Sequence, residues 1–255
     1  MLSEKRITEE LKKLGVEPPK IIFYELTDST NTRAKEYAKE NPDNKEPVVF
    51  IANAQSAGRG RHGRSFVSNE GAGIYMSILS YPKENGYDAT AVTAKTAVAL
   101  AKAVEAVSDC DIQIKWVNDL YLGGKKLAGI LVEGEMDLEG KIAHQVVGTG
   151  INVYRKAVSD EISTIATSLE GELNSAPDRS VLAARMIKEF FSISPYCYDE
   201  YKARSFVIGK NVTVIKLTES YEAKVLDINP DFSLLVEHDG ITEGLFTGEI
   251  SLKVQ

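Results

Sequence analysis

The sequence predicts an α+β fold in which a mixed β-sheet with packed helices is followed by a small β-barrel. Helical and strand-like segments are interspersed as far as residue 205, whereas residues 206–255 carry only short strand-like segments separated by turns. With 255 residues, 43% of them hydrophobic and 26% charged, the chain can bury a sizeable core. We therefore expect two domains, covering residues 1–205 and 206–255.

The elements of the first domain are predicted from hydrophobic periodicity and turn residues. Helices are expected at residues 4–14, 33–39, 89–107 and 180–203, the last interrupted near Ser194-Pro195. Strands are expected at residues 21–26, 48–54, 74–79, 112–117, 127–133 and 146–153. Gly123 and Gly124 predict a hairpin turn between the strands 112–117 and 127–133. The polar residues expected around that hairpin are Lys115, Asn118, Asp119 and Lys126.

Beyond Phe206 the pattern changes to short strands with closely spaced turns. Strands are expected at residues 212–216, 221–228, 234–237 and 245–250. Turns are expected at Asn229-Pro230-Asp231, Asp239-Gly240 and Thr247-Gly248. Strands this short and this close together predict a small barrel, in which no single residue indicates a role.

Composition excludes several classes of protein. The net charge of −7 argues against a protein that generally coats nucleic acid, although a local basic contact is still allowed. The apolar stretches fall short of the ~20 residues that a membrane span needs, and the charged start does not match a signal peptide, so a cytoplasmic location is predicted. Two cysteines and three scattered histidines do not fit a disulfide framework or a zinc site.

A basic loop at residues 55–65 is the most informative feature of this acidic chain. It carries Arg59, Arg61 and Arg64 between glycines. Guanidinium groups fork onto carboxylate or phosphate oxygens, and glycines let backbone amides approach a ligand closely. The loop is therefore predicted to bind an anion, the alternative being a solvated turn. Because its glycines make it costly to order, we expect the loop to close only when a carboxylate or an adenylate arrives.

The glycine spacing of this loop also fits two nucleotide-binding patterns. Gly58, Gly60 and Gly63 satisfy GxGxxG, and the stretch from Gly58 to Ser65 has the spacing of a phosphate-binding loop with arginine in place of lysine. Both patterns require a helix directly after the loop. A polar connection and the strand 74–79 follow instead, so we predict neither kind of nucleotide loop.

A group of small polar residues, Asp28-Ser29-Thr30-Asn31, precedes the predicted helix 33–39. Hydroxyls and amides at a helix amino terminus can cap the helix, or they can bind polar or anionic ligand atoms. From the residues alone both interpretations stay open.

Several motifs in chain order identify a family resemblance. They are Asp28 to Asn31, Gln55 with Gly58 to Arg64, Lys115 to Asp119, Lys126 to Glu133, and Gly148 to Asn152. Together they resemble the motifs of the biotin-protein ligases, specifically the shorter form without an amino-terminal DNA-binding domain. The resemblance covers nearly the whole chain. It implies a catalytic domain like those of class II synthetases and biotin ligases, followed by an SH3-like barrel.

The resemblance implies an ATP-dependent reaction in two steps. Biotin and ATP give biotinyl-5′-AMP and pyrophosphate. A lysine of a biotin carboxyl carrier protein, or of the biotinyl domain of a carboxylase, then takes the acyl group. Such chemistry needs cations around a carboxylate and a phosphate. ATP and Mg²⁺ are the implied cofactors, DNA and membranes are not expected as partners, and the oligomeric state stays open, with a homodimer as one alternative.

The resemblance also implies roles for individual residues. The implied catalytic residues are Lys115, Arg61, Lys126 and Asp119. The residues implied to bind biotin or ATP are Ser29, Thr30, Asn31, Gln55, Gly58, Arg59, Gly60, Arg61, Phe66, Lys115, Asn118, Asp119, Lys126, Gly129 and Asn152. Ser29, Thr30 and Gln55 are implied at the ureido ring of biotin. Lys115 is implied at the α-phosphate, Asp119 at magnesium, and Asn152 near the ribose.

Two positions depart from the family pattern, and three other functions compete. Val117 stands where proline is common and Phe66 where tryptophan is common, which predicts altered packing with the same reaction.

The first competing function is that of a lipoate or octanoate ligase, which would show an apolar slot. A biotin-sensing regulator needs a helix-turn-helix domain of ~60 residues, but only residues 1–20 precede the first predicted strand. The third alternative is a non-catalytic binding protein with the barrel as its working module.

Overall fold

The helices and strands are described for residues 2–82, 88–194, 196–216, 219–246 and 248–252 of a computed structural model. Within these ranges the α-helices are α1 (Glu4–Lys13), α2 (Thr30–Glu40), α3 (Ala89–Glu105), α4 (Leu169–Leu173), α5 (Arg179–Ser192) and α6 (Tyr198–Arg204). The strands are β1 (Lys20–Tyr24), β2 (Val48–Ala52), β3 (Gly73–Ser80), β4 (Gln113–Lys115), β5 (Asp119–Leu122), β6 (Lys125–Met136), β7 (Ile142–Asn152), β8 (Asn211–Ile215), β9 (Ser220–Ile228), β10 (Leu234–His238), β11 (Ile241–Leu245) and β12 (Glu249–Leu252). Of the helices described, none has the length and hydropathy to cross a membrane.

A seven-stranded mixed sheet forms the main body of the protein. Its strand order is β1-β2-β3-β7-β6-β5-β4. β1 pairs with β2 in parallel, and every other pair of neighbours is antiparallel. The predicted mixed sheet with packed helices is therefore confirmed.

The two faces of this sheet pack against different helices. Side chains alternate along β2, so Val49 and Ile51 join a large core with α1, α3 and α5, while Val48 and Phe50 join a smaller core against α2. The helices on the larger side begin at capping residues: Asp88 accepts hydrogen bonds from the first turn of α3. The face covered by α2 is the one that carries the site described below.

A five-stranded antiparallel sheet of order β11-β10-β9-β8-β12 follows the main body. This is the predicted SH3-like barrel. Val212, Val225 and Leu234 of this sheet are fully buried and continuous with the core of the main body. The barrel also contacts the main body through polar groups: the indole N–H of Trp116 donates to the carbonyl of Phe232 at 2.9 Å.

The structure corrects two predicted connections. The Gly123-Gly124 turn joins β5 to β6, so the predicted hairpin between the strands 112–117 and 127–133 is wrong. β5 was not predicted because it is short and starts at Asp119, directly after Asn118, and both residue types favour turns. The predicted strand 245–250 is wrong as well, because β11 ends at Leu245 and β12 begins at Glu249. Thr247 of the predicted turn lies outside the described residues.

The predicted long helix near the end of the main body is divided as expected. α5 ends at Ser192 and α6 begins at Tyr198. Pro195, which was predicted to interrupt the helix, lies outside the described residues.

Candidate active site

A cavity opens on the α2 face of the main sheet, where glycines take the place of larger side chains. Gly129 on β6 pairs with Gly150 on β7, and with Gly148 they line a space of about 480 Å³. A Cβ atom on Gly148 would lie 2.1 Å from Oδ1 of Asn31, and one on Gly150 would lie 2.6 Å from the ring of Phe66. The floor of this first cavity therefore depends on glycine at both positions.

Neutral polar groups from the start of α2 line part of the first cavity. Ser29 occupies the N-cap position of α2 but makes no side-chain capping hydrogen bond, which argues against a plain capping role. The backbone N–H and the hydroxyl of Thr30 both meet Oε1 of Gln55, at 2.8 and 3.1 Å. Ser29, Thr30 and Asn31 are each less than 5% exposed. This wall therefore offers buried hydrogen-bonding groups that carry no charge.

The arginine loop, residues 55–65, lines the same cavity and is tied to the main sheet. Nη2 of Arg59 lies 3.0 Å from a carboxylate oxygen of Glu133 on β6, and Nη1 of Arg61 donates to Oδ1 of Asn118 at 3.1 Å. A short 3₁₀ turn at Arg61–Gly63 reverses the chain, with φ of 54° at His62. β3 follows the loop, in agreement with the rejection of both nucleotide patterns. Closure of the loop on ligand binding stays a prediction.

The barrel also holds the arginine loop. Nη2 of Arg61 donates to the carbonyl of Gly248 at 3.0 Å. Nη1 of Arg64 lies 2.7 Å from a carboxylate oxygen of Glu249 at the start of β12. The arginine loop is therefore held in part by Gly248 and Glu249, which are far from it in the chain.

A second cavity, of about 580 Å³, adjoins the first. The residues that line both cavities are Gly60, Arg61, Phe66, Asn118 and Lys126. The residues that line the second cavity alone are His62, Arg64, Ser65, Lys115, Trp116, Asp119, Glu249 and Ile250. Two ligands that occupy the two cavities would therefore meet between Arg61 and Lys126.

Cations dominate the region where the cavities join. Burial lowers the pKa of Lys115, against the opposing effect of the nearby carboxylates of Asp119 and Glu249. Burial also lowers the pKa of the Arg61 guanidinium. Nζ of Lys126 lies 2.7 Å from Oδ1 of Asp119. Cations that have lost part of their hydration interact strongly with an anion that enters beside them.

Comparisons with known proteins agree with this geometry. Residues 23–152 match the model of the Biotin/lipoate A/B protein ligase family. The chain is 31% identical to a bifunctional ligase/repressor BirA of Bacillus spizizenii, over 98% of this chain and 79% of that protein. The chain belongs to the biotin/lipoate A/B protein ligase family.

Two further relatives of this chain are informative. The chain is 31% identical to a biotin–[acetyl-CoA-carboxylase] ligase of Mycobacterium tuberculosis, over 84% of this chain and 81% of that protein. Among solved structures, a biotin protein ligase from Aquifex aeolicus in complex with biotin and ATP has a TM-score of 0.79 and 25% identity, covering 92% of this chain and 99% of that one.

Most of the site residues predicted from the sequence lie at the two cavities. Those that line the first cavity are Ser29, Thr30, Asn31, Gln55, Arg59, Gly60, Arg61, Phe66, Asn118, Lys126 and Gly129. Lys115 and Asp119 are added by the second cavity. The roles given to these residues stay predictions.

Gly58 and Asn152 are not among the residues that line either cavity. A Cβ atom on Gly58 would lie 2.3 Å from the carbonyl oxygen of Phe66, so packing within the loop explains this glycine. Asn152 donates its side-chain amide to the carbonyl of Thr167 at 3.0 Å and is 6% exposed. The proposed ribose contact of Asn152 stays a prediction.

Sequence reasoning missed several residues that line or support the site. Ser77 and Glu133 hold Asn31 from behind, and Glu249 reaches the second cavity from the barrel. Glu133 could have been found, because it alternates with Gly129 and falls on the same face of β6. No sequence signal identifies Glu249, since its contact with Arg64 spans 185 residues.

Proposed function

We propose that this protein activates biotin with ATP as biotinyl-5′-AMP and transfers the biotinyl group to a lysine of a biotin carboxyl carrier protein. The observation that carries the proposal is the pair of adjoining cavities, one with a neutral polar wall and the other rich in cations, which share Arg61 and Lys126. The Mycobacterium tuberculosis relative, a biotin–[acetyl-CoA-carboxylase] ligase, supports this assignment.

The first cavity is suited to biotin. The ureido ring is neutral and has both hydrogen-bond donors and acceptors, which matches the uncharged wall of Ser29, Thr30 and Gln55. The glycine floor leaves room for a bicyclic ring. The biotin carboxylate then extends towards Arg61 and Lys126, where the two cavities meet.

The second cavity is suited to the triphosphate of ATP. A carboxylate oxygen of biotin attacks the α-phosphorus, the bond to the bridging oxygen breaks, and pyrophosphate leaves with the electron pair. Both reactants are anions, so Lys115, Arg61 and Lys126 lower the barrier by balancing their charge. No side chain is required to move a proton in this step.

Asp119 is the residue that we propose to hold Mg²⁺ with ATP. Magnesium prefers oxygen ligands and is commonly held by one or two carboxylates together with substrate phosphates. The described residues contain no cluster of three or more metal-binding side chains, and the Asp119 carboxylate beside the second cavity suits this mode of binding. The ion would supply charge neutralisation of the phosphates. Asp119 also orients Lys126 through their ion pair.

The second step transfers the biotinyl group to the carrier. The neutral ε-amine of the carrier lysine attacks the acyl carbon, the bond to the phosphate oxygen breaks so that AMP leaves with the electron pair, and the nitrogen of the new amide loses one proton to water. Arg61 and Lys126 again face the departing phosphate charge. The arginine loop shields the mixed anhydride from water while the carrier docks.

The experiment that tests the proposal is label transfer to a purified biotinyl domain, with pyrophosphate release measured in parallel. Transfer should require biotin and MgATP, and Lys115→Ala should abolish it while the variant stays folded. Lipoate in place of biotin tests the rival ligase. Preferential transfer of lipoate, or biotin binding without pyrophosphate release, would contradict the proposal.

A homodimer is proposed as the alternative to a monomer, since β1 and β4 are the outer strands of the main sheet and outer strands can pair across a two-fold axis. Light scattering with and without biotin and ATP measures the oligomeric state directly.

We also propose that the chain works in the cytoplasm and does not act as a DNA-binding repressor. A gel-shift assay with total genomic fragments tests the second point.

A further inference from the structure

A short turn joins β4 to β5 and separates two charged residues of the second cavity, Lys115 and Asp119. The turn consists of Trp116, Val117 and Asn118, and Lys115 pairs with Asp119 across its base. The positions of both charged groups therefore depend on the conformation of this turn. Placement matters for the proposed reaction, because a displacement of about 1 Å in an active site can slow a reaction about 100-fold.

Different parts of the protein hold the two ends of the turn. The indole N–H of Trp116 donates to the carbonyl of Phe232 in the barrel at 2.9 Å. Asn118 exchanges hydrogen bonds with Ile130 on β6: its carbonyl accepts from the N–H of Ile130 at 2.9 Å, and its Nδ2 donates to the carbonyl of Ile130 at 3.2 Å. Val117, in the middle of the turn, is 5% exposed, so its carbonyl needs a donor from within the protein.

Tyr201 on α6 supplies this donor. Its hydroxyl donates to the carbonyl oxygen of Val117 at 3.2 Å, and the residue is fully buried. Burial, together with the nearby charge of Asp119, raises the pKa of Tyr201, so the phenol keeps its proton and acts as a donor. A peptide group is planar, so a bond that fixes the carbonyl of Val117 also fixes the direction in which the chain enters Asn118.

α6 is anchored on both sides of Tyr201. Near the end of the helix, Nη2 of Arg204 donates to a carboxylate oxygen of Glu105 on α3 at 2.8 Å. At its start, the hydroxyl of Tyr198 donates to the carbonyl of Ile228 in the barrel at 2.7 Å. α6 is therefore fixed to the main body and to the barrel, and Tyr201 meets the turn from between these two anchors.

We propose that Tyr201 is a positioning residue for adenylation, which holds the turn through Val117 and so places Lys115 and Asn118 at the second cavity. This inference rests on the proposed function, in which ATP occupies that cavity. Tyr201 is not among the residues that line either cavity, so it acts through the turn. Without its hydroxyl the buried carbonyl of Val117 would lose its donor, and the turn would shift until the carbonyl found another.

Tyr201→Phe tests the proposal, because it removes the hydroxyl and keeps the ring. Single-turnover pyrophosphate release at saturating biotin and MgATP should slow about 10- to 100-fold, since Lys115 and Asn118 are displaced. Biotin affinity without ATP, measured by isothermal titration calorimetry, should stay within about three-fold of the wild-type value, because Arg61 keeps its bond to Gly248 and the first cavity is intact. A variant that releases pyrophosphate at the wild-type rate would overturn the proposal.

Tyr198→Phe is the matched control on the same helix. It also removes a phenol hydroxyl that donates to a backbone carbonyl, but this carbonyl belongs to Ile228 in the barrel. The rings of Tyr198 and Tyr201 both pack edge-to-face against Phe232, at centroid distances of 6.2 and 5.5 Å. Pyrophosphate release and biotin affinity in Tyr198→Phe should stay within about three-fold of the wild-type values. Equal slowing in both variants would show that the packing of α6 is responsible and would overturn the proposal.

Hydrogen exchange measures the turn itself. The backbone amides of residues 116–119 should exchange about five-fold faster in Tyr201→Phe than in Tyr198→Phe, while those of β7 should exchange equally in both. The loss of one hydrogen bond is small beside the stability of a whole protein, so both variants stay folded and are compared well below their unfolding temperatures. Equal exchange of the turn in the two variants would overturn the proposal.

The failure of this inference differs from the failure of the proposed function. A wild-type protein that releases no pyrophosphate with biotin and MgATP would remove the function, and the inference with it. A wild-type protein that releases pyrophosphate, with a Tyr201→Phe variant that releases it equally fast, would overturn the inference alone.

Discussion

Arg61 is the residue at which both cavities and the barrel come together. Its guanidinium donates to Oδ1 of Asn118 and to the carbonyl of Gly248, and it lines both cavities. A lysine could not make these divergent contacts with the same geometry, because only arginine has a planar fork of donors. The sequence motif predicted that Arg61 binds an anion, but it gave no indication of the contact between Arg61 and the barrel.

Arg61→Ala should weaken retention of the adenylate. Loss of a charged hydrogen bond should raise the dissociation rate of biotinyl-5′-AMP about 10- to 100-fold and increase non-specific acylation of lysines. Dissociation can be measured by chasing labelled adenylate with unlabelled ligand. Arg155→Ala is the matched control, because Arg155 lines neither cavity and its side-chain hydrogen bonds to Glu170 and Asn174 lie at the surface. An unchanged dissociation rate in Arg61→Ala would contradict the prediction.

Lys115 should give adenylation a pH dependence on the alkaline side. Burial lowers its pKa, so the ammonium loses its proton at a lower pH than that of an exposed lysine. The rate of pyrophosphate release should therefore be maintained below the lowered pKa and fall as the pH rises through it. In Lys115→Arg the fall should move to higher pH, since a guanidinium stays charged.

Lys125→Arg is the control for this pH profile, because Lys125 lines neither cavity. Its profile of pyrophosphate release in a single turnover should match the wild type. A Lys115→Arg variant with the same alkaline limb as the wild type would show that another group controls the fall.

The arginine loop illustrates, at the level of one element, which of its glycines serve packing. Gly58 is enclosed by the carbonyl of Phe66 and the hydroxyl of Ser68, whereas Gly63 has open space around it and a φ of +74°. From the sequence pattern, both glycines were predicted to let backbone amides approach a ligand closely. Spacing alone could not distinguish them, because the distinction depends on how the chain folds back at Phe66.

Gly58→Ala should therefore disturb the loop from within. The new methyl group would force the backbone at Phe66 to shift, which should lower the free energy of unfolding by about 1–3 kcal/mol and weaken biotin binding. Gly63→Asn should leave both unchanged within error, because asparagine tolerates a left-handed φ. Urea unfolding and calorimetry of the two variants compare them directly. Equal effects would show that the enclosure of Gly58 is unimportant.

Strands were predictable where a nearly continuous apolar run is buried on both faces of the sheet, as along β2 and β3. β5 was missed because Asn118 and Asp119 both favour a turn. Asn118 does lie in the turn before β5, whereas Asp119 pairs with Lys115 of β4 and Gly129 of β6. The same pairing brings Lys115 opposite Asp119, which the predicted hairpin would not have done.

At the scale of the whole molecule, the barrel is joined to the main body beside β4, the strand that ends at Lys115. Trp116 follows Lys115 in the sequence and is 3% exposed. Its indole N–H donates to the carbonyl of Phe232 in the barrel. The hydroxyl of Thr90 donates to the carbonyl of Phe246 at 2.8 Å. The barrel itself was predictable from composition, but its contacts with the site were not, since they join distant parts of the chain. A division between domains at residue 206 stays a prediction.

Trp116→Phe should destabilise the whole protein. The carbonyl of Phe232 would lose its donor in a buried position, which should lower the free energy of unfolding by about 1–3 kcal/mol. Pyrophosphate release should also slow, because Lys115 adjoins the disturbed position. Thr213→Val, which removes an exposed hydrogen bond within the barrel, is the control and should have little effect on either quantity. Full activity and stability in Trp116→Phe would show that this bond does not link the barrel to catalysis.

The bonds from the arginine loop to Gly248 and Glu249 span 187 and 185 residues, which bears on how the protein is made. During synthesis a nascent chain grows at about 5–20 residues per second, and its early segments begin to fold first. The arginine loop leaves the ribosome well before the residues that hold it. A nascent chain therefore cannot present the finished site until residues 248 and 249 have emerged, and a ribosome that stalls earlier would leave the loop without its anchor.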